Sequence, residues 1–260
     1  MVRYPVSARE RLYAIFFGPL IIVALMYAAY TFYPLVAPPT GQIISLGTMA
    51  LGALYTLGRI AIAYVLAVIV AVPLALLTVR NRTLEAFLLP IFDVLESIPI
   101  LAMFPVVILL FIQFDFLNGA AIFILFLNML WNIVFALVGG LKLIPKDITY
   151  AAKVFGVKGS AYLRRIILPA VFPQLVTGSI LAVAEGWNLI IVVEALHTYI
   201  PNGTSAQDLF GIGSILVNAA AHAQDQIFLA AVLTLVVLIA LINFFVWQKL
   251  LHLAQRYRFE

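Results

Sequence analysis

Long apolar stretches separated by short polar segments follow one another along almost the whole chain. A membrane-spanning helix needs about 20 apolar residues, because each residue adds about 1.5 Å and the hydrocarbon core is about 30 Å thick. About six stretches meet this length, and Pro90, Pro99 and Pro105 interrupt the third. The predicted spans are approximately Tyr13–Val36, Leu51–Thr78, a segment within Leu84–Ile112, Gly119–Leu141, Ala170–Leu196 and Gln226–Leu250. Because helices satisfy their own backbone polar groups in lipid, the pattern predicts an all-α integral membrane protein.

The composition supports a lipid-embedded chain. Hydrophobic residues make up 65% of the 260 residues and charged residues only 10%, whereas soluble domains are about half apolar and a quarter charged. The absence of cysteine excludes disulfides and thiolate sites. The N-terminal segment passes from charged residues into a long apolar run without a small-residue cleavage site, which favours a retained first span over a signal peptide.

Basic residues occur in every second segment between the predicted spans. The basic segments contain Arg3, Arg9 and Arg11; Arg80 and Arg82; Lys142, Lys146, Lys153, Lys158, Arg164 and Arg165; and Lys249, Arg256 and Arg258. The alternate segments, around residues 37–50, 113–118 and 197–225, contain no Lys or Arg, and only Arg59 departs from the pattern. The positive-inside rule therefore predicts a multi-pass protein of the cell membrane with both termini in the cytoplasm. The net charge of +4 then reflects topology and contact with the lipid bilayer, and not binding to nucleic acid.

The longest basic segment, residues 145–169, has the pattern of two short helices. The predicted apolar faces contain Ala151, Ala152 and Phe155 in the first helix, and Tyr162, Leu163, Ile166 and Ile167 in the second. Gly156 suits the position after a helix end, where a positive φ costs least without a Cβ atom. Such a hairpin is suited to docking a soluble protein, and periodicity alone equally allows an amphipathic connector on the membrane surface.

The spacing within this segment resembles the cytoplasmic loop of binding-protein-dependent ABC importer permeases. That loop has Glu-Ala-Ala, Gly, Ile and Leu-Pro at fixed separations, and its register is matched here by Ala151, Ala152, Gly156, Ile166, Leu168 and Pro169. Tyr150 stands where the family usually has Glu, so the resemblance does not imply a polar contact with an ATPase at that point. The ATPase-coupling residues that it implies are Tyr150, Ala151, Ala152, Phe155, Gly156, Tyr162, Arg164, Ile166, Leu168 and Pro169.

Other segments resemble the nitrate, sulfonate, taurine and bicarbonate branch of these importers. They are residues 56–59, Pro73-Leu74, residues 96–99 with Phe104-Pro105, residues 191–194 and the ending 247–260. The resemblance implies a type I ABC importer permease fold over residues 1–260, with an extra N-terminal span at 13–36, core spans within 51–250 and a coupling loop at 145–169.

The resemblance also implies a set of partners. No phosphate-binding loop of the Gly-x-x-x-x-Gly-Lys-Ser/Thr type is present, so this chain is expected to be non-catalytic and to bind no cofactor. ATP and Mg are then expected on two partner ATPase subunits. The remaining expected partners are a second permease copy or a related permease, and an extracellular or periplasmic solute-binding protein. The expected cargo is a small anion.

Four polar residues within the predicted spans are candidates for the translocation pathway, namely Arg59, Asn128, Glu185 and Asn188. Polar groups at such depths avoid the lipid face, so they either form hydrogen bonds between helices or line a polar passage. Arg59 has three interpretations: it reaches the outer boundary, it pairs with Glu185 inside the bundle, or it attracts an anion.

Asp93 and Glu96 lie in the proline-interrupted third span, where they either mark a break that lines the pathway or pair within its cytoplasmic half. A stand-alone secondary transporter is a competing hypothesis, but it predicts an inverted repeat or a proton relay. An intramembrane enzyme would need catalytic histidines inside the spans, whereas all three histidines lie at or beyond span ends, and their spacing predicts no metal site. An importer for an amino acid, a peptide or a metal complex stays open.

Overall fold

The computed structural model describes residues 45–200 and 207–257, so the predicted first span at 13–36 lies outside the described residues. The described residues are helical and contain no strand. The helices are α1 (Leu46–Thr78), α2 (Arg82–Ser97), α3 (Ile100–Ile112), α4 (Leu117–Lys142), α5 (Lys146–Val154), α6 (Gly159–Glu194), α7 (Ile212–Ala221) and α8 (Asp225–Tyr257). A single 3₁₀ turn, Leu196–Tyr199, follows α6.

Within the described residues, four helices are long and apolar enough to cross a membrane: α1, α4, α6 and α8. Helices α2 and α3 together form a fifth candidate span that bends by 83°. The bend falls at Ile98 and Pro99, since the residue before a proline avoids helical angles and Ile98 is extended (ψ 123°). Pro90 and Pro105 lie inside helices, so only one of the three prolines breaks the span.

Helix α4 is central and packs along both α1 and α6. The contact with α6 is close because Gly178 faces Ala136, leaving no room for a Cβ atom, and Gly140 faces Gln174 in the same way. Small residues permit close approach of backbones where lipid supplies no hydrophobic drive between helices. On α1, alanines at four-residue spacing form a fully buried stripe, which consists of Ala63, Ala67, Ala71 and Ala75.

The predicted hairpin at 145–169 is formed differently in its two halves. Helix α5 ends in a Schellman motif, in which Val157 N–H donates to Ala152 O (2.9 Å) and Gly156 N–H donates to Lys153 O (3.1 Å). Gly156 has φ +68°, which confirms the expected left-handed conformation. The predicted second short helix is not separate, because it forms the first turns of α6, which runs unbroken from Gly159 to Glu194.

A π-helical segment explains how α6 passes through Pro169. Residues Leu163–Ile167 are π-helical, and the N–H of Leu168 donates to the carbonyl of Leu163, five residues earlier. A proline within a helix lacks one donor and its ring collides with the carbonyl four residues before it. The π turn that precedes Pro169 is wider than an α turn, and this leaves room for the proline ring beside the preceding carbonyl groups. Pro169 therefore neither ends a helix nor begins one.

Candidate functional site

The tip of the hairpin is apolar and exposed. Val154 and Phe155 are 81% and 82% exposed, and Tyr150 is 58% exposed. Ala152 is buried against the bundle while Ala151 is exposed. The predicted apolar face of Ala151, Ala152 and Phe155 is therefore divided. Phe155 caps the end of α5, where the chain turns away through the glycine, so its ring lies beyond the packed part of the helix.

The second half of the hairpin lies on the same side of the bundle. Tyr162, Ile166 and Pro169 are half-buried, whereas Arg164 and Leu168 are exposed. Together with α5 these residues form one continuous surface at the basic end of the molecule. We call residues 145–169 the coupling hairpin. Its exposed tip combines large apolar side chains with Lys153, whose ammonium group lies 5.9 Å from the centre of the Tyr150 ring.

The opposite end of the bundle contains a buried ion pair between α1 and α6. Arg59 Nη1 donates to Glu194 Oε1 (2.6 Å), and the Glu194 side chain is completely buried. Thr56 Oγ1 donates to both oxygens of the same carboxylate (2.8 and 3.1 Å). The backbone N–H of Gly213 donates to Glu194 Oε2 (2.7 Å). The carboxylate therefore joins α1, α6 and the first turn of α7.

The remaining contacts of Arg59 complete the outer cluster. Its Nε donates to Asn118 Oδ1 (2.9 Å) at the start of α4, and its Nη1 also donates to the carbonyl of Phe210 (3.0 Å). Gly211 lies directly against the Glu194 carboxylate, so any Cβ at this position would overlap it. We call Thr56, Arg59, Glu194 and the backbone of residues 210–213 the outer cluster.

The outer cluster contradicts two interpretations of Arg59, namely that it reaches the outer boundary and that it pairs with Glu185. The side chain is 6% exposed and does not extend to solvent. Its partner is Glu194 and not Glu185, which lies nine residues earlier on α6, or about 14 Å along the helix. Glu194 was missed as a site residue, although residues 191–194 belong to a segment with family resemblance. The detectable signal was an acidic residue and an arginine near the outer ends of two spans.

Exposed acidic side chains lie on α6 and at the end of α2. Glu185 is exposed, and it accepts a hydrogen bond from Asn132 Nδ2 (2.9 Å) on α4. Asp93 and Glu96 lie near the bend between α2 and α3, and both Asp93 and Glu185 act electrostatically on Glu96. All three carboxylates are exposed. We call Asp93, Glu96 and Glu185 the acidic face.

The other two pathway candidates lie near this face on the same helices. Asn188 is exposed on α6, one turn beyond Glu185, and Asn128 is half-buried on α4, one turn before Asn132. None of these candidates contacts Arg59. The structure thus separates the four predicted pathway residues into the outer cluster and a polar surface in the middle of the bundle.

His197 and Asp208 brace the segment between α6 and α7. Asp208 accepts hydrogen bonds from the backbone N–H of His197 (3.0 Å) and from Asn218 Nδ2 (3.0 Å), and its side chain is 4% exposed. The ring Nδ1 of His197 lies 2.8 Å from Asp208 Oδ1. In the part of the chain that the structure describes, no group of three or more acidic, histidine or cysteine side chains could hold a metal ion.

These features define a class of protein: a polytopic helical membrane protein with a glycine-capped helical hairpin on its basic side. Residues 63–257 match the family of the binding-protein-dependent transport system inner membrane component, and the chain belongs to this family. The predicted resemblance to ABC importer permeases is therefore confirmed, as are the all-α membrane fold and a multi-pass location in the membrane.

Individual relatives agree with the predicted branch. The chain is 34% identical over 139 residues to the bicarbonate transport system permease protein CmpB of Synechococcus elongatus, which covers 54% of this chain and 49% of that one. It is 30% identical over 159 residues to the nitrate import permease protein NrtB of Leptolyngbya laminosa, covering 61% and 56%. The chain thus spans about half the length of the curated relatives it matches. Their names as permeases agree with a non-catalytic membrane subunit.

A solved structure supports the fold independently. A chain of the MetNI methionine ABC transporter, in inward facing conformations, superposes with a TM-score of 0.62 at 18% identity. The match covers 82% of this chain and 98% of that chain. At this identity the match shows the fold, which is that of an ABC importer permease.

Proposed function

We propose that this chain forms the translocation pathway of an ATP-driven importer for a small anionic solute of the nitrate, sulfonate, taurine or bicarbonate class. We further propose that it couples to a separate ATPase through the coupling hairpin. The observation that carries the coupling role is the exposed apolar tip at Val154 and Phe155. Two large apolar side chains held in water on a basic surface favour a protein partner that covers them.

The proposed assembly follows from the family and the hairpin. ATP and Mg bind to two partner ATPase subunits, a second permease copy or a related permease completes the pathway, and a solute-binding protein delivers the solute from outside. Both termini then lie in the cytoplasm, on the side of the hairpin. Closure of the ATPases displaces α5 and the first turns of α6, and the spans alternate between outward and inward access.

The proposed pathway runs along Asn128, Glu185 and Asn188. Their side chains are exposed or half-buried in the single chain although they lie between the ends of long apolar helices. Polar groups at that depth are stable only against protein or water. Arg59 is not proposed as an anion ligand, since a carboxylate and a backbone carbonyl already accept from its Nη1 and Asn118 accepts from its Nε.

A solute that carries a positive group is a second candidate, because the acidic face lies beside these residues. Exposed carboxylates on this face would disfavour a bare anion electrostatically and would favour an ammonium group or a metal complex. The names of the bicarbonate and nitrate permeases support the anionic cargo. The acidic face supports the alternative, which also includes amino acids and zwitterions.

The coupling role is tested by replacing the apolar tip. The full chain is expressed with its partner subunits, and the ATPase that copurifies from native membranes is measured. Val154→Asp with Phe155→Asp is expected to lower the copurified ATPase at least tenfold, because two carboxylates would have to be desolvated at the contact. Leu143→Asp is the matched control, since Leu143 is 70% exposed and apolar but lies outside the hairpin.

Equal loss of the ATPase from both variants would contradict a specific role for the hairpin. If no ATPase copurified with the native chain, the stand-alone transporter would replace the importer. The cargo is tested with the same preparation and a periplasmic or surface extract. Stimulation of ATP hydrolysis by nitrate, bicarbonate or sulfonates supports the anionic cargo, whereas stimulation confined to amines or metal complexes supports the second candidate.

A further inference from the structure

A cavity at the basic end of the bundle contains two arginines with no described partner. The cavity of about 290 Å³ is lined by Ile148 of α5, by Arg165, Ile166, Pro169 and Ala170 of α6, and by Arg256 and Tyr257 of α8. We propose that Arg165 and Arg256 bind the phosphate of an anionic lipid headgroup, in the leaflet on the side of the coupling hairpin. This site does not depend on the proposed transport function.

The charges of the cavity are not neutralised within the part of the chain described. The ion pairs there are Arg59 with Glu194, Lys142 with Glu85, and His197 with Asp208. Neither cavity arginine takes part in them, although both residues line one space and both are exposed. Two like charges on one cavity wall repel each other, and an anion between them removes that repulsion and gains two attractive interactions. The electrostatics therefore favour a bound anion.

The cavity lies at the level of lipid headgroups. Between Arg165 and Glu185, α6 contains 19 uncharged residues, and Arg165 is the last charge before this run. Arg165 therefore lies in the basic, N-terminal part of the candidate span Gly159–Glu194. On α8, Arg256 follows Lys249, the first charge after the apolar run, by seven residues. Both arginines therefore lie at the basic ends of candidate spans, and basic pockets between spans on the cytoplasmic side are sites that bind lipid phosphates.

The shape of the site favours a lipid over a free ion. Guanidinium groups match the oxygens of a phosphate with paired hydrogen bonds. The other walls are mainly apolar, since Ile148, Ile166, Pro169 and Ala170 line them. Tyr257 adds an aromatic wall, and an edge-to-face contact with Phe172 positions its ring (centroids 5.7 Å apart). Apolar walls beside two cations suit a phosphate that carries a glycerol and acyl chains.

A lipid in this cavity would connect three elements. Ile148 belongs to the coupling hairpin, whereas Arg256 and Tyr257 belong to the end of α8. A phosphate bound to both arginines therefore holds α5 and the start of α6 against α8. Loss of the lipid is expected to loosen the hairpin, and this gives the site a measurable effect on stability.

The test uses the full chain, purified in a neutral detergent with any subunits that copurify, and stripped of lipid. Its thermal unfolding midpoint is measured after addition of phosphatidylglycerol, phosphatidylcholine or inorganic phosphate. Phosphatidylglycerol is expected to raise the midpoint by several degrees more than phosphatidylcholine does. Arg165→Gln with Arg256→Gln is expected to remove most of that difference. The matched control is Arg80→Gln with Arg82→Gln, which removes two arginines of the same basic side that are exposed like the cavity pair but do not line the cavity.

Native mass spectrometry of the same samples gives a second measurement that does not require a cooperative transition. The native chain and the control are expected to retain phosphatidylglycerol, and the cavity variant is expected to retain at least fivefold less. If the cavity variant fails to fold, Arg256→Gln alone is measured in the same way. Equal effects of the two lipids, or equal losses in the cavity variant and the control, would overturn the proposal. Full protection by inorganic phosphate alone would also overturn it, because the site would then take a soluble anion.

Discussion

The buried pair between Arg59 and Glu194 makes the sharpest prediction for stability. The perturbations are Arg59→Met and Glu194→Gln, singly and together, because each replacement approximately preserves the side-chain volume. In the native chain the carboxylate accepts hydrogen bonds from Arg59, Thr56 and the backbone of Gly213. Arg59→Met leaves a buried carboxylate without its cation, and Glu194→Gln leaves a buried guanidinium without its anion.

The magnitude follows from burial. Removing one partner of a buried ion pair costs about 3–5 kcal/mol, because an uncompensated charge stays in the low-dielectric interior. The Glu194 side chain is 0% exposed, so water cannot solvate its charge when Arg59→Met removes the guanidinium group. The double variant removes both charges, and coupled buried pairs typically deviate from additivity by about 0.5–3 kcal/mol. We therefore expect the double variant to lose at least 1 kcal/mol less than the two single losses combined.

The assay is reversible unfolding of the purified chain in mixed micelles with increasing sodium dodecyl sulfate. Its control is the partly exposed pair of Lys142 and Glu85 (2.6 Å), for which Lys142→Met and Glu85→Gln are each expected to cost about 1 kcal/mol or less. Native-like stability of Arg59→Met, or strictly additive losses in the double variant, would refute the assignment of a buried coupled pair.

Three further predictions concern single residues, each measured by the same unfolding assay. Gly156→Ala is expected to cost about 1–2 kcal/mol, because the φ angle of Gly156 is +68°. It is also expected to reduce the coupling of ATP hydrolysis to transport. Wild-type stability of this variant would contradict a stabilising role for the glycine cap. Gly178→Leu is expected to cost about 1–3 kcal/mol by overpacking, because a Cβ atom at this position would meet α4. Gly58→Leu is the control, since a Cβ atom at Gly58 would have no neighbour within 4 Å. Asp208→Asn is expected to cost about 1–3 kcal/mol through unmet hydrogen bonds and to increase the rate of proteolysis between α6 and α7. An unchanged rate of proteolysis would show that Asp208 does not stabilise the connection between these helices.

Local features of the structure could be predicted from the sequence. The spans in the described residues were predicted because hydrophobic length alone specifies them in lipid. The Schellman cap at Gly156 was predicted because it depends on one residue type at the end of an amphipathic segment. An interruption of the third span was predicted at Pro90, Pro99 and Pro105, and it was confirmed only at Pro99, where the residue before the proline is extended.

Features that depend on packing could not be predicted in the same way. Arg59 and Glu194 are 135 residues apart in the sequence, so their pairing depends on the rotation and height of two helices. The sequence suggested Glu185 as one partner for Arg59 because both were charged residues inside predicted spans, and position along the chain does not reveal which helix faces meet. The continuity through Pro169 was missed because a local π segment, which no sequence pattern revealed, accommodates the ring.

Helix α6 connects three regions of the structure, two of which the proposed function uses. Its 36 residues extend about 54 Å, well beyond the hydrocarbon core. Its first turns belong to the coupling hairpin, Glu185 lies on the acidic face, and Glu194 anchors the outer cluster. A straight helix transmits an axial or tilting displacement with little internal deformation, and the π segment at 163–167 interrupts its regular hydrogen bonding only near the hairpin. In the proposed importer, a displacement of the hairpin would pass through α6 to Glu185, while the outer cluster would hold the far end of the helix against α1 and α7.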